Sequence, residues 1–242
     1  SMSKSKKNVI DPENIISEYG ADTARLFMLS DSPPDRDINW SIAGINGAWK
    51  FTQKFWRTVR NCSKVFKIDL SKKPENFSKE SIIFRKKVQK LLKAITDSIE
   101  GFQINVAVAK IHELTSEISL YKTYSASDEW CQKEALNILI KVTEPIMPHL
   151  AEECWNKIGH RNSIIEEKWP EIYVDLLSED ECTIIIQING KKRAEIKAPV
   201  DSQEDAVFKG ALELVNVKNY INDEDLILKK IFIPNKILNI VI

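Results

Sequence analysis

The sequence has few cysteines, few histidines, no net charge and no long apolar run. Its 242 residues contain four cysteines and three histidines, and none of them stands at the paired spacing of a zinc site or a disulfide framework. The 35 basic and 35 acidic residues balance, so bulk charge predicts no polyanionic partner. No segment approaches the roughly 18 apolar residues of a membrane helix. The N-terminal lysines are not followed by the apolar stretch that a signal peptide has. We therefore expect a cytoplasmic protein without a metal and without a membrane segment.

What the sequence does have is a substantial apolar fraction in two kinds of pattern. Apolar residues make up 43% of the chain, enough for a sizeable core. Helical periodicity dominates as far as about residue 160, and alternating β-branched residues follow. The fold class is therefore mainly α, with an antiparallel helix bundle and a small α+β domain at the C-terminal end. The predicted divisions are a connector module at 1–40, the bundle at 41–160, a linker at 161–180 and the α+β domain at 181–242.

Local signals place the individual helices. In the connector module, Asp11 precedes Pro12 as an N-cap, and Asp22 is expected to cap a second helix that runs to about Leu29. A long helix is predicted from Ser41 to Lys67. The further helices of the bundle are predicted at Ser81–Ile99, Asn105–Tyr121, Asp128–Val142 and Pro148–Ile158.

In the long helix, one face is expected to pack inward because its apolar residues recur at intervals of three, four and seven. These residues are Ile45, Trp49, Trp56 and Val59.

The C-terminal segment carries hairpin signals. Cys182–Ile188 reads as a strand, and Asn189-Gly190 is typical of a tight turn into a second strand ending near Lys197. A helix is expected over Ser202–Val215. Two closing strands, Ile227–Ile233 and Ile237–Ile242, are joined by a turn at Pro234, Asn235 and Lys236.

Cations without neighbouring acids occur in the predicted long helix. The stretch from Ser41 to Lys67 contains no Asp or Glu, and four of its cations lie at offsets of four, seven and fourteen, which places them on one side of a helix. We call these residues the basic stripe: Lys50, Lys54, Arg57 and Lys64. The stripe is suited to phosphates of a nucleic acid, and the alternative is a solvated face paired with acids of neighbouring helices.

Two other groups carry a similar pair of interpretations. The aromatic residues Trp49, Phe51, Phe55 and Trp56 interleave with the stripe and could stack on unpaired bases, whereas their helical spacing also favours core packing. Three cations follow the hairpin turn and could meet phosphates, or could protect a sheet edge from aggregation. These cations are Lys191, Lys192 and Arg193.

The N-terminal residues resemble a known motif. Met2, Ser3, Lys4 and Ser5 match the last four positions of the KMSKS signature of class I aminoacyl-tRNA synthetases, and we attribute Ser1 to an artificial start. Ile10–Glu13 and Tyr19–Phe27 look like the segment that follows this loop in the leucine, isoleucine and valine branch.

The leucyl branch is indicated by further segments. They are Ser32–Asp37, Asn39–Trp40, Gly44–Ala48, Phe55–Arg57, Gln187–Lys191 with Arg193, and Lys229–Pro234 with Leu238–Val241. One departure is Asn235, which stands where that family commonly has glycine, and asparagine tolerates a positive φ better than other residues.

This resemblance implies a function. Leucyl-tRNA synthetases join leucine to its tRNA with ATP, usually with Mg²⁺ as counterion, and the signature loop covers the ATP phosphates, which gives Lys4 that role here and Met2, Ser3 and Ser5 supporting ones. The bundle resembles the anticodon-binding domain, so leucine tRNA is the expected partner of the basic stripe and of the hairpin cations. The amino-acid and adenine pockets belong upstream in that family, so we expect the chain to be inactive alone. We also expect it to be a monomer.

Two alternatives remain open from the sequence. One is the equivalent region of an isoleucyl-, valyl- or methionyl-tRNA synthetase, which the Asn189-Gly190-Lys191 segment disfavours. The other is a helical scaffold without enzymatic function that binds proteins, which would show no salt-dependent binding to RNA.

Overall fold

The computed structural model describes residues 10–33, 35–178, 181–221 and 227–242, and it divides into two compact units. The first unit extends to Leu177, and the second runs from Ser178 to Ile242. The first unit contains α1 (Pro12–Tyr19), α2 (Ala21–Asp31), α3 (Ile42–Asn61), α4 (Lys79–Glu100), α5 (Ile104–Leu120), α6 (Ala126–Thr143) and α7 (Pro148–Lys157). The second contains β1 (Glu181–Ile188), β2 (Lys191–Pro199), α8 (Glu204–Glu213), α9 (Val215–Lys218), β3 (Lys229–Ile233) and β4 (Ile237–Val241). The predicted fold class, mainly α with a small α+β part, is confirmed.

The first two helices pack on the same core as the bundle. The Asp11 side chain accepts a hydrogen bond from the Glu13 amide at 3.1 Å, as expected of an N-cap. Leu26 and Phe27 of α2 are buried in the cluster that holds the bundle together. The Arg25 guanidinium donates to the backbone carbonyls of Pro145 and Ile146, which fixes α2 to the turn before α7.

Asp22 does not cap α2, contrary to the sequence prediction. Gly20, at φ 83°, is the N-cap residue of that helix. The Asp22 carboxylate instead accepts hydrogen bonds from the Leu150 amide at 2.6 Å and from His149 Nδ1 at 2.8 Å. It therefore satisfies an amide in the first turn of α7, where the N-cap residue Met147 has no acceptor side chain.

Helix α3 is shorter than the predicted helix, because it ends at Asn61 and a 3₁₀ turn follows at Ser63–Val65. The buried Lys133 ammonium of α6 donates to the Phe66 carbonyl at 3.1 Å and to the Ile158 carbonyl at 2.7 Å. This tertiary contact holds the chain after α3 in a turn, and no local sequence signal announces it.

The buried face of α3 is also rotated relative to the prediction. Ile45 and Val59 are buried, as expected, but Trp49 is 39% exposed and Trp56 is half-buried. Phe51 and Phe55 lie at the centre of the buried face. Core packing is therefore confirmed for these two phenylalanines, and the two tryptophans stand at the edge of that face.

The four following helices lie within a few residues of their predicted bounds and complete the core. The N-terminal end of α6 is a polar centre in which Asp128 accepts hydrogen bonds from Ser81 of α4, from the Tyr121 hydroxyl at 3.0 Å and from the amides of Tyr124 and Ser125 at 3.1 Å. These hydrogen bonds lower the pKa of the Asp128 carboxyl to about 2, although burial alone would raise it.

Beyond α7 the chain packs on the bundle. Ile164 is buried, the Trp169 indole donates to the Thr96 hydroxyl at 2.9 Å, and the Tyr173 amide donates to the Gln89 side chain at 3.0 Å. The segment predicted as a linker is thus in contact with α4 along part of its length.

The second unit is a four-stranded sheet of order β2-β1-β4-β3, in which β1 and β4 are parallel and the other pairs antiparallel. Alternate residues of β1 and β4, including Ile184, Ile186, Leu238 and Ile240, are buried in a cluster with Val207 and Phe208 of α8. The helix predicted over Ser202–Val215 corresponds to α8, which ends at Glu213. Leu214, whose backbone is extended, separates α8 from α9, a short helix that was not predicted.

Both predicted turns of this unit are present. Asn189 and Gly190 have φ of 49° and 75°, as a primed hairpin turn requires. Asn235 has φ of 62°, and its side chain bonds the Asp201 amide at 2.8 Å and the Asp201 carboxylate at 2.9 Å. The asparagine thus adopts the conformation that glycine would take and adds side-chain contacts.

Candidate nucleic-acid interface

Three of the four residues of the basic stripe lie on one helix. Lys50, Lys54 and Arg57 lie on α3, whereas Lys64 lies in the 3₁₀ turn beyond its end. The expectation that helical periodicity aligns all four residues is therefore wrong for Lys64. Lys50, Arg57 and Lys64 are nevertheless exposed.

The exposed cations of the stripe are not neutralised by neighbouring acids. Within the described ranges, no carboxylate lies within 4.0 Å of the charged groups of Lys50, Arg57 or Lys64. The Arg57 Nε atom donates to the Gln53 carbonyl of its own helix at 3.3 Å, and this neutral acceptor does not cancel its charge. The ion pairing that the solvated-face alternative requires is therefore not found among these residues.

Lys54 has a different environment from the other members of the stripe. Its ammonium donates to the Ser116 hydroxyl of α5 at 2.7 Å, and its side chain is half-buried. Beside it, His112 stacks on Phe51 with 3.5 Å between ring centroids. Burial, together with the charge of Lys54, lowers the pKa of His112 to about 4, so this imidazole is neutral near pH 7. Because its ammonium is bonded to Ser116, Lys54 is partly a structural residue.

The hairpin cations also differ from one another. Lys191 is exposed, and Lys192 pairs with Glu195 at 2.5 Å. The register shifts between Ile186 and Gln187, which pair with Ala194 and Lys192 respectively, so Arg193 is the extra residue of a β-bulge.

The bulge places the Arg193 guanidinium over the Tyr220 ring, at 4.1 Å from its centroid. Its buried Nε atom has no hydrogen-bond partner among the described residues. Sequence reasoning missed this contact because Tyr220 lies 27 positions further along the chain and the bulge has no signal of its own.

The residues expected to contact ATP lie outside the described residues. They are Met2, Ser3, Lys4 and Ser5, and their assignment stays a prediction.

The cysteines and histidines show no metal-site geometry. In the part of the chain that the structure describes, no three metal-ligating side chains converge. Cys62, Cys131 and Cys154 are buried free thiols, and burial raises the pKa of Cys62 to about 11 and of the other two to about 12. His160 stacks on Trp155 at 3.5 Å, and burial lowers its pKa to about 4. Among the described helices, none has the length and apolar character that crossing a membrane demands.

Two known protein families match parts of the chain. The model of the anticodon-binding domain of tRNA ligases matches residues 82–208, and the model of class I tRNA synthetases for isoleucine, leucine, methionine and valine matches residues 1–41. The chain belongs to the family of anticodon-binding domains of tRNA ligases.

Within this family, relatives that match the whole chain are leucine–tRNA ligases. The enzyme of Parvibaculum lavamentivorans is 42% identical over 241 residues, which cover 100% of this chain and 28% of that protein. The enzyme of Bradyrhizobium sp. strain ORS 278 is 41% identical over 244 residues, with 99% and 28% covered. The resemblance to the leucyl branch is thus confirmed, and the chain spans little more than a quarter of the length of these relatives.

Solved structures agree with this assignment. The leucyl-tRNA synthetase of Agrobacterium radiobacter K84, crystallised as a ternary complex with tRNA and LeuAMS, superposes with a TM-score of 0.80 and 26% identity over 99% of this chain and 30% of that one. The methionyl-tRNA synthetase of Mycobacterium tuberculosis with methionyl-adenylate gives a TM-score of 0.50 and 19% identity over 64% of this chain and 35% of that one, which indicates a shared fold only.

Proposed function

We propose that this chain is the C-terminal, tRNA-binding part of a leucine–tRNA ligase. The complete enzyme would activate leucine with ATP and transfer it to leucine tRNA, and the chain would act in the cytoplasm. What chiefly supports the proposal is similarity to leucine–tRNA ligases along the whole of this chain, at about 40% identity over little more than a quarter of their length. The described structure adds a row of exposed cations without acidic partners in the described ranges.

The cations of α3 are suited to a phosphate backbone for a physical reason. An exposed, unpaired cation that meets a phosphate releases counterions condensed on the nucleic acid, whereas an ion-paired one must first lose its partner. Among the residues that the structure describes, Lys50, Arg57 and Lys64 are of the first kind. Lys54 is held by Ser116, so its charge would raise the electrostatic potential at this surface more than it would contact a phosphate directly.

In the second unit, the hairpin would contribute unequally to tRNA binding. Lys191 is exposed and has no acidic partner in the part of the chain that the structure describes, Lys192 would have to leave Glu195, and Arg193 is held over Tyr220. We therefore rank Lys191 first among the three.

The N-terminal motif connects the chain with catalysis. In the proposed reaction the leucine carboxylate attacks the α-phosphate of ATP, and negative charge grows on the departing pyrophosphate. A lysine delivered by a loop stabilises that charge more in the transition state than in the ground state, and Lys4, assisted by Met2, Ser3 and Ser5, would have this role. Mg²⁺ would accompany the ATP. The chain alone is expected to be inactive, because one lysine cannot position two substrates.

The proposal is tested by measuring the affinity of the chain for leucine tRNA. A charge reversal at the two exposed cations of the basic stripe that lie on α3, Lys50→Glu with Arg57→Glu, should weaken binding at least about tenfold, because each lost phosphate contact lowers affinity and the new carboxylates repel the backbone. A tRNA without leucine identity, at equal length and salt, should bind less tightly to the unmodified chain.

A matched control has the same change of charge at exposed lysines outside α3, Lys73→Glu with Lys122→Glu. Its affinity should stay within about threefold of the original, since only the net charge of the chain changes and its long-range effect is screened by salt. If both double variants bind leucine tRNA equally well, α3 does not hold the tRNA. If the original chain does not bind leucine tRNA at all, the proposed function is wrong.

A further inference from the structure

A cleft beside α3 is not explained by the fold or by the basic stripe. It has a volume of about 360 Å³, within the range of roughly 300–1,000 Å³ of small-ligand sites. Its walls come from the end of α1, from the start of α2, from α3 and from the first turn of α7. The lining includes Tyr19, Asp22, Trp49, Gln53, Trp56 and His149.

The aromatic walls remain accessible. Trp49 is 39% exposed, and its contact with Tyr19 is T-shaped, with 6.3 Å between ring centroids and planes at 81°. Such an edge contact orients the indole without covering both of its faces. Trp49 and Trp56 stand seven positions apart, and therefore lie on one side of α3, about two turns from each other.

Each of these tryptophans is followed directly by a cation of the basic stripe, Trp49 by Lys50 and Trp56 by Arg57. One position on a helix corresponds to a rotation of about 100°, so each cation lies on the side of α3 next to that of its tryptophan, and neither cation lines the cleft itself. Both are exposed, and neither is paired with an acid in the described ranges. The arrangement puts aromatic faces beside unneutralised positive charge, which suits an unpaired nucleotide.

The polar groups of the cleft favour a base there and disfavour a phosphate. Asp22 contributes negative charge, which would repel a phosphate. The Asp22 carboxylate is hydrogen-bonded to His149 Nδ1 at 2.8 Å. The His149 side chain is 78% exposed, and its second ring nitrogen, Nε2, is the polar atom that remains for a hydrogen bond to the edge of a base.

We infer that the cleft binds one unpaired nucleotide of an RNA, with the base against Trp49 and Trp56 and the phosphates beside Lys50 and Arg57. This inference deepens the proposed function and rests on it for the identity of the RNA, although the stacking itself can be tested without tRNA.

The test uses the complete chain with two RNA probes of equal charge, an oligoadenylate hexamer and a hexamer of abasic ribose phosphates. The oligoadenylate should quench tryptophan fluorescence and bind at least about fivefold more tightly than the abasic probe, since stacking of a base on an aromatic side chain contributes that much or more. Trp49→Ala should abolish this difference, and Trp49→Phe, which keeps a ring, should retain most of it.

A matched control is Trp169→Ala, because Trp169 is 38% exposed, belongs to the same unit and lies outside the cleft. It should leave the preference for oligoadenylate unchanged, and circular dichroism should confirm that all variants keep their helicity. Equal binding of the two probes, or an undiminished preference in Trp49→Ala, overturns the inference.

Failure of the cleft is distinguishable from failure of the proposed function. Tight binding of leucine tRNA that Trp49→Ala does not weaken would reject the cleft alone. Preferential stacking of oligoadenylate, with no binding of leucine tRNA, would support the cleft and reject the proposed function.

Discussion

Two glycines of α3 allow a sharp test of how this helix is fitted against α2. A Cβ atom at Gly44 would lie 2.5 Å from Phe27 Cε2 and 2.8 Å from Ser41 Oγ, whereas a Cβ atom at Gly47 would have no neighbour within 4 Å. Both residues lie in the same helix. Gly44 lies in the first turn of α3 and Gly47 one turn further inside, so the gain in helix propensity at Gly44 is at most that at Gly47, and the two substitutions differ chiefly in packing.

The expected magnitudes follow from these neighbours. Alanine in place of glycine stabilises a helix interior by about 1 kcal/mol, and Gly47→Ala should gain most of that. At Gly44 a gain of at most this size is opposed by an overpacking cost of about 1–3 kcal/mol, because Phe27 is buried and in T-shaped contact with Trp40 at 5.0 Å. The N-cap hydrogen bond from the Gly44 amide to Ser41 Oγ, at 3.0 Å, would be disturbed at a further cost of about 1 kcal/mol. Gly44→Ala should thus be less stable than Gly47→Ala by about 2–4 kcal/mol.

Urea denaturation followed by far-ultraviolet circular dichroism measures this difference, because most of the helix belongs to the first unit. The original chain should fall between the two variants. Equal midpoints for Gly44→Ala and Gly47→Ala would refute the close approach of α2 and α3.

Two further predictions concern the core. Asp128→Ala should lower the free energy of unfolding by about 2–4 kcal/mol, because it removes the acceptor of the buried Ser81 hydroxyl, of the Tyr121 hydroxyl and of the Ser125 amide; a urea midpoint within error of the original would contradict the polar centre. The second concerns pH: His112 and His160 have folded pKa values of about 4, below the unfolded value of about 6.5. The unfolded chain therefore takes up protons first, and stability should fall as pH decreases from about 6.5 to 4, by about 1–2 kcal/mol after allowance for partial exposure. In the variant His112→Leu with His160→Leu this slope should largely disappear, and an unchanged slope would show that other groups cause it.

Local signals sufficed for much of the architecture. The Asn189-Gly190 turn, the N-cap at Asp11 and the asparagine at 235 each depend on the conformational preferences of one or two residues, and the structure has all three as expected. The bounds of α4 to α7 were likewise close, because apolar periodicity and capping act within single helices.

Features that depend on distant contacts could not be predicted. Asp22 looked like a cap for its own helix, but its acceptor atoms serve α7, which begins 126 positions later in the sequence. The end of α3 is held by Lys133, and the parallel pairing of β1 with β4 joins strands from opposite ends of the second unit. In each case the partner is chosen by tertiary packing.

The sequence predicted which residues are the candidate cations better than it predicted their positions and contacts. Sequence spacing identified the cations of α3, but it could not show that Lys54 is held by Ser116 or that Lys64 lies beyond the helix. The cleft between Trp49 and His149 was not predicted, because it is formed by residues from four helices, α1, α2, α3 and α7.

The central claim, that α3 holds a tRNA through phosphate contacts, is tested most directly by the salt dependence of leucine tRNA binding. Each phosphate contact contributes about 0.7–0.9 to the slope of log affinity against log salt. We predict a steep negative slope for the original chain and a slope smaller in magnitude by about 1.4–1.8 for Lys50→Glu with Arg57→Glu. A slope near zero in the original chain, or an identical slope in the double variant, would contradict the account.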